Sequence, residues 1–262
     1  MDPTRYLNHS IQRALQILEL FGRNPGPLGV SEISRIVGIH KSTIHRLVLT
    51  LEHAGWLLRI PGTDKYRLGL KVLALGRIVD RSITSCSVAR PILEELASDT
   101  GETVVLTMSD EVGAICVDKI ETTHRLKISS ELGQHFPLHA GATGFAVLLC
   151  MPEDHVRQIL YEKPLEAFTP KTVTDPGRVY ERYLERKQKG YVVASGEVDP
   201  GVTGIAVPVF FPFEHSCGSV GVTLPDYRAT GETLEILVQK VLNAAGEIRK
   251  RVDLTQAPPD AE

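Results

Sequence analysis

Long apolar runs are missing from this 262-residue chain. None approaches the ~18 consecutive apolar residues of a membrane span, so no membrane partner is expected. The opening MDPTRYLNHS lacks the basic-then-apolar pattern of a secretory leader. Cysteine is scarce: Cys86, Cys116, Cys150 and Cys217 lie far apart, with no C-x-x-C spacing. They read as reduced, mostly packed thiols of a cytoplasmic protein. Cys150 follows an apolar run and reads as buried. Cys217, close to His215, is the better candidate for reactivity, although a histidine neighbouring it along a strand makes a poor base. The chain has no H-E-x-x-H, G-x-S-x-G or G-x-x-x-x-G-K-[ST]. His135 and His139 are four apart, but Pro137 between them forbids a regular helix, and no third ligand is defined. Neither a metal, nor a cofactor, nor an enzyme activity is expected. Aromatic residues make up 6% of the chain and include one tryptophan, Trp56, read as a packing residue.

What is present is an uneven charge. The net charge is −3. Residues 1–90 carry 13 Lys+Arg and 6 Asp+Glu, a net +7, whereas residues 91–262 carry 16 and 26, a net −10. Such asymmetry suggests one part that meets a polyanion and one that does not.

The basic part has a legible local pattern. Ile11, Ala14, Leu15 and Leu18 recur at helical spacing, predicting a helix from about Ser10. GRNPGPLG breaks the chain. A second, short helix follows, with Ser31 as its N-cap, Glu32 at the positive end of the dipole and Gly38 as a left-handed stop. A third helix begins within a few residues. Ile44, Leu47, Val48 and Leu51 form its buried stripe, with Ser42, Arg46 and His53 near the opposite side and Leu49 pointing outward among them. Two helices joined by a tight turn, the second polar and basic, are the pattern of a helix-turn-helix. Lys41, Ser42, Thr43, His45 and Arg46 would then reach phosphates or base edges of the major groove. GWLLRIPGTDKYRLG predicts a β-hairpin turning at PGTD. Arg59, Lys65 and Arg67 on this wing are placed to meet the sugar-phosphate backbone.

VSEISRIVGIHKSTIHRLVLTLEHAGWLLRIPGTDKYRLG resembles the N-terminal domain of the IclR family of bacterial transcriptional regulators. The likeness continues through LHAGATGFAVL, KGYVVASGEVDPGVTGIAVPV and GSVGVT, so it spans most of the chain. It implies a DNA-binding domain, a connecting helix and a ligand-sensing domain of GAF-like fold, assembled as homodimers or homotetramers. Its implied partners are double-stranded operator DNA and a small carboxylic-acid effector, and its implied role is repression of a catabolic operon.

The acidic part reads as an α+β domain with an antiparallel sheet flanked by helices. The expected division is a winged helix-turn-helix over 1–70, a connecting helix over 71–90, an effector domain over 91–254 and a disordered tail over 255–262. Pro91 is expected to start a helix that Gly101 stops. ETVVLTMS, GAICVDKIE and RLKISS are expected strands, followed by the loop LGQHFPLHAGATG. A helix is expected from GFAVLLCM, another from PEDHVRQILY, and a third with Thr174 or Asp175 as cap and Gly190 as stop. YVVAS, GIAVPVFF and GSVGVTL return to strand, and a final helix carries Leu234, Leu237, Val238, Val241, Leu242, Ala245 and Ile248 on one stripe.

The backbone N–H groups at HAGATG, before a helix, suit a carboxylate. The resemblance implies that Ala142 and Thr143, beside Gly141, take the effector's acid group. It carries the family's other pocket positions onto Ile128, Ala194, Gly204, Gly221 and Thr223. Phe145 stands where the family often has lysine. Three of those five positions are Gly or Ala, which implies an enlarged cavity and an aromatic or sugar-derived acid, oriented by Thr143 and Thr223. Alternatively the glycines serve strand packing and the pocket is vestigial. Two other functions remain open from sequence: an enzyme of an acid or ester with a vestigial helix-turn-helix, and a purely architectural or protein-binding winged helix.

Overall fold

The computed structural model describes residues 7–24, 26–125, 128 and 130–256. They form two compact units, Met1–Ser82 and Ile83–Glu262.

The first unit opens with α1, His9–Arg23, capped by the Asn8 side chain, which accepts from the N–H groups of Ser10 and Ile11. Its core stripe is Ala14, Ile17, Leu18 and Phe21, one step round from the predicted one; Ile11 and Leu15 stay exposed. Both sets have helical spacing, and packing selects the one that faces α3. After β1 (Leu28–Gly29) comes α2, Val30–Val37. Here Gly29, not Ser31, holds the N-cap position. Glu32 reaches back to accept the Gly29 N–H at 2.8 Å, so the acid caps the helix that the serine was expected to cap. Gly38 ends α2 at φ 73°, as predicted. The recognition-type helix is α3, Lys41–His53, with Ile44, Val48 and Leu51 buried. β2 (Leu57–Arg59) and β3 (Lys65–Leu68) form the hairpin, and β1 adds a third strand beside β3. Trp56 lies half-buried at the core's edge, with the Lys71 ammonium 5.8 Å from its ring centre.

The connecting helix expected over 71–90 is instead two helices: α4, Leu70–Ser82, and α5, Thr84–Thr100, interrupted at Ile83. The start expected at Pro91 is absent, because Pro91 sits inside α5. Its ring lies on the exposed face, so the missing hydrogen bond opens toward water. Cys86, Ala89, Leu93 and Leu96 bury the other face continuously through it. Glu214 holds the first turn, its carboxylate accepting the Ser85 N–H at 3.1 Å and hydroxyl at 2.5 Å.

In the second unit six antiparallel strands run in the order β6-β5-β4-β9-β8-β7. They are β4 Thr103–Ser109, β5 Ala114–Ile120, β6 His135–Phe136, β7 Val192–Ser195, β8 Val202–Phe211 and β9 Ser216–Pro225. The two-residue β6 lies in the stretch expected as loop. The expected strand RLKISS is not one: Arg125, Ile128 and Ser130 have no strand geometry, and 126, 127 and 129 lie outside the described residues. One sheet face carries Val104, Leu106, Ile205, Val207, Val220 and Val222 against α5 and α9 (Gly231–Gln256). α9 continues through 255 and 256, where the tail was expected to begin; 257–262 lie outside the described residues.

The other face is built from small residues. Gly204, Ala206, Ser219, Gly221 and Thr223 alternate with that apolar set on β8 and β9. Onto them packs α6, Ala142–Cys150, in which every residue from Ala142 to Leu149 is buried. A helix covered on all sides must be apolar on all sides. α7 (Glu153–Glu162) and α8 (Pro176–Lys189) complete this layer, with Val156, Leu160, Val179 and Tyr183 against α6. Asp175, not Thr174, caps α8, and Gly190 ends it at φ 76°.

Candidate functional site

Each unit presents one site. In the first, α3 is anchored by its apolar stripe, which forces the remaining side chains outward. Lys41, Ser42, His45 and Arg46 are exposed and Thr43 is half-buried. Leu49 is exposed among them, as read from the sequence. His40 caps the helix: the Ser42 N–H donates to its Nδ1 at 3.3 Å, and the Ser42 hydroxyl lies 2.8 Å from the same nitrogen. Ser42 is therefore pre-engaged, whereas Lys41 and His45 point away at the start of the helix. Thr43 and Arg46 also line a groove between α1 and α3, with Ile11, Leu15, Leu47 and Trp56.

The hairpin places its cations as expected, but not unaccompanied. Arg59 pairs with Asp64 at 2.6 Å and Lys65 with Glu32 at 3.4 Å. Both pairs are solvent-exposed and weak enough to exchange for a phosphate. Arg67 is exposed on β3.

In the second unit a cavity of about 90 Å³ lies at the N-terminus of α6. Ile128, Gly141, Ala142, Thr143, Ala194, Gly204 and Thr223 all line it, drawn from a loop, α6 and three strands. Gly221 does not. It lies under Ala206, where an added Cβ would come within 2.5 Å of the Ile205 carbonyl oxygen, so its role is strand packing. The small residues have not enlarged the cavity either. A Cβ on Gly204 would sit 2.9 Å from the Ala142 Cβ, and one on Gly141 would sit 3.0 Å from Val198 Cγ2. α6 has closed into the space that larger side chains would have held. Among the described residues the buried Thr223 hydroxyl there has no hydrogen-bond partner, a state that favours any ligand able to satisfy it.

Sequence reasoning missed the charge behind this cavity. Glu197 is 8% exposed and accepts the Gly141 N–H at 3.0 Å. Its other oxygen accepts from Arg182 at 3.0 Å and Arg186 at 3.2 Å, both on α8. Arg186 stacks over Phe145, 4.2 Å from the ring centre. Burial pulls the Arg186 pKa below the ordinary guanidinium value, and Glu197 offsets this only in part. Glu197 lines the cavity together with Asp199, and the two guanidiniums offset the Glu197 charge from the α8 side. The α8 helical spacing of Arg182 and Arg186 was visible in the sequence, but their shared partner was not.

The two histidines near the cavity have structural partners. His135 Nε2 lies 2.8 Å from Asp110, and His139 Nε2 lies 2.9 Å from the Glu166 carbonyl oxygen, its ring stacked on Phe168. Among the described residues no helix is long and apolar enough to cross a membrane.

Residues 10–61 match the IclR helix-turn-helix domain, and residues 81–250 match the bacterial transcriptional regulator IclR C-terminal domain. The chain is 29% identical to the HTH-type transcriptional regulator KipR of Bacillus subtilis, over 95% of this chain and 98% of that protein. It is 33% identical to the HTH-type transcriptional regulator XynR of Escherichia coli, over 77% and 80%. The crystal structure of an IclR transcriptional regulator from Alicyclobacillus acidocaldarius superposes with a TM-score of 0.81 at 27% identity, covering 94% of this chain and 100% of that one. An IclR homologue from Microbacterium hydrocarbonoxydans, crystallised with 4-hydroxybenzoate, has the same fold at a TM-score of 0.78 and 24% identity, covering 94% and 99%. Proteins of this family are transcriptional regulators and not enzymes, which removes the enzyme reading. The first unit thus holds a helix-turn-helix domain for DNA and the second an effector domain: the chain belongs to the IclR family of bacterial transcriptional regulators.

Proposed function

We propose that this regulator is a cytoplasmic repressor of a catabolic operon, released or tightened on its operator by a compact carboxylic acid bound at the start of α6. The observation that carries the DNA half is the division of α3: Ile44, Val48 and Leu51 are buried while Lys41, Ser42, His45 and Arg46 are exposed. Arg46 and His45 are assigned to base edges, Lys41, Ser42 and Thr43 to the helix-start phosphates, and Arg59, Lys65 and Arg67 to the flanking backbone.

The effector half is supported by the first-turn N–H groups of α6 and the partnerless Thr223 hydroxyl, with Arg182 and Arg186 offsetting the Glu197 carboxylate that lines the cavity. The homologue crystallised with 4-hydroxybenzoate supports an acid. The volume argues against the larger acids expected from the glycine content: about 90 Å³ is small beside the roughly 300–1,000 Å³ of drug-sized sites. A homodimer, alone or paired into a tetramer, is supported by the apolar side chains left exposed in the first unit. Leu70, Leu73, Leu75 and Ile78 on α4, with Ile11 and Leu15 on α1, stand in water in the single chain.

Selection of duplexes from a random library by the full chain, then titration of the selected duplex against salt, tests this reading. Affinity should fall steeply with salt. Arg46→Ala should weaken binding by about tenfold or more, the loss of one good base contact. No selected duplex, or equal affinity for the variant, overturns the placement of α3. Small acids that fail to shift either duplex affinity or melting at millimolar levels overturn the effector half.

A further inference from the structure

The second unit holds a pair of thiols that the regulatory reading does not use. Cys150 is the last residue of α6, and Cys217 is the second residue of β9. Both are half-buried and unbridged, whereas Cys86 and Cys116 are buried. Packing of α6 on the sheet brings the pair together. The Cys150 thiol donates to the Val209 carbonyl oxygen at 3.8 Å, and Val209 faces Gly218 across the β8–β9 ladder. The sulfur of Cys150 therefore lies beside the start of β9, where Cys217 packs into the same apolar cluster as α6.

Such an arrangement divides the labour of a dithiol. The Cys217 thiol holds the Cys150 thiol below its ordinary pKa against the effect of burial, with the Gly218 N–H and the Arg249 guanidinium adding to it. Cys217 is pushed up by the same partner and by burial, and stays protonated. One sulfur is poised to attack and its neighbour to resolve. Cys116 is excluded from such chemistry, since burial pushes its thiol up to about 12.

We propose that Cys150 and Cys217 form a redox-active dithiol, which hydroperoxides convert to an intrachain disulfide. The Cys150 thiolate attacks one peroxide oxygen, the O–O bond breaks and the departing oxygen takes up a proton. Cys150 is left as a sulfenic acid. Cys217 then attacks that sulfur as it gives up its proton; the S–S bond forms, the S–O bond breaks and water leaves. Two thiols lose two electrons and two protons, and the hydroperoxide is reduced to an alcohol and water, or to two waters from hydrogen peroxide. The bond would tie together two mechanically placed points. α6 begins at the cavity and ends at Cys150, and Glu214, which caps α5 through Ser85, lies three residues before Cys217.

Treating the reduced full-length protein with stoichiometric hydrogen peroxide, followed by intact-mass measurement and peptide mapping, tests the proposal. The expected result is the loss of two hydrogens, one cross-linked pair of peptides holding Cys150 and Cys217, and reversal by dithiothreitol. Iodoacetamide at pH 7 should alkylate Cys150 about tenfold faster than Cys217. Cys217→Ala should stop at a dimedone-reactive sulfenic acid on Cys150, and Cys150→Ala should leave Cys217 unmodified. The wild-type map requires no variant, so a variant that misfolds does not remove the test. The proposal is overturned by unmodified thiols, by sulfinic acid on Cys150 without the cross-link, or by a disulfide that joins two chains.

Discussion

Replacing Glu197 with alanine removes the countercharge of two arginines at once. The Glu197 side chain is 9% exposed and that of Arg186 12%, so their pair is screened little by water. Arg182 is 36% exposed and can turn outward. The penalty therefore falls on Arg186, left buried over the Phe145 ring with a charge and no acid. Breaking a buried pair from one side costs about 3–5 kcal/mol. A domain of the second unit's size loses about 2–4 °C in melting temperature per kcal/mol. Glu197→Ala should thus lower the unit's transition by about 6–20 °C. The Gly141 N–H also loses its acceptor, so the start of α6 should loosen. Scanning calorimetry of the full chain reads the shift. A companion experiment separates charge from packing: Glu197→Leu combined with Arg186→Met removes both ions and should recover most of the lost stability. A drop under about 2 °C for Glu197→Ala, or a double variant no better than the single, would refute the reading of this cluster as a buried, mutually dependent pair.

Other outcomes follow from the same geometry. Gly204→Ala should cost about 1–3 kcal/mol by driving its new methyl against Ala142, and Ala142→Gly should rescue it; additive losses in chemical denaturation would show that the helix is not held at this contact. Asp64→Asn should free Arg59 for a phosphate, tightening duplex binding and steepening the slope of log affinity against log salt by about one unit; an unchanged slope would place Arg59 off the DNA. The Gly29 N–H, aided by Lys65, holds the Glu32 carboxyl below its ordinary value, despite desolvation. Its stabilisation of the first unit is therefore fully present above the usual carboxylate range and is lost as pH falls through the lowered value. Glu32→Gln should melt earlier than wild type at pH 7, with the gap closing toward pH 3; a gap that is constant with pH would mean that the charge contributes nothing.

Much of this protein was legible without coordinates because its signals are local. Gly38 and Gly190 end helices by a backbone conformation that glycine adopts freely, and the α3 stripe follows from helical periodicity. The PGTD turn announces the wing. Local reasoning failed where two local solutions were equally good. Ala14, Ile17, Leu18 and Phe21 have the same spacing as Ile11, Ala14, Leu15 and Leu18. Ser31 and Glu32 are both sound cap residues. Pro91 is as acceptable to a helix start as to an exposed helix face.

By itself, then, the amino-acid order determined the two-part organisation, the helix-turn-helix and wing, and the antiparallel effector domain, while the family resemblance pointed to eight positions of which seven line the cavity. Only the tertiary structure decided how close the layers come. It filled the space beside Gly204 with Ala142, set Gly221 to packing, neutralised Glu197 with two arginines from α8 and placed Cys150 against Cys217. The physical reason is range: hydrogen-bonded turns and periodic faces are set within a few residues of chain, whereas cavity volume, ion pairing and thiol proximity depend on which distant surfaces meet and on how little room they leave.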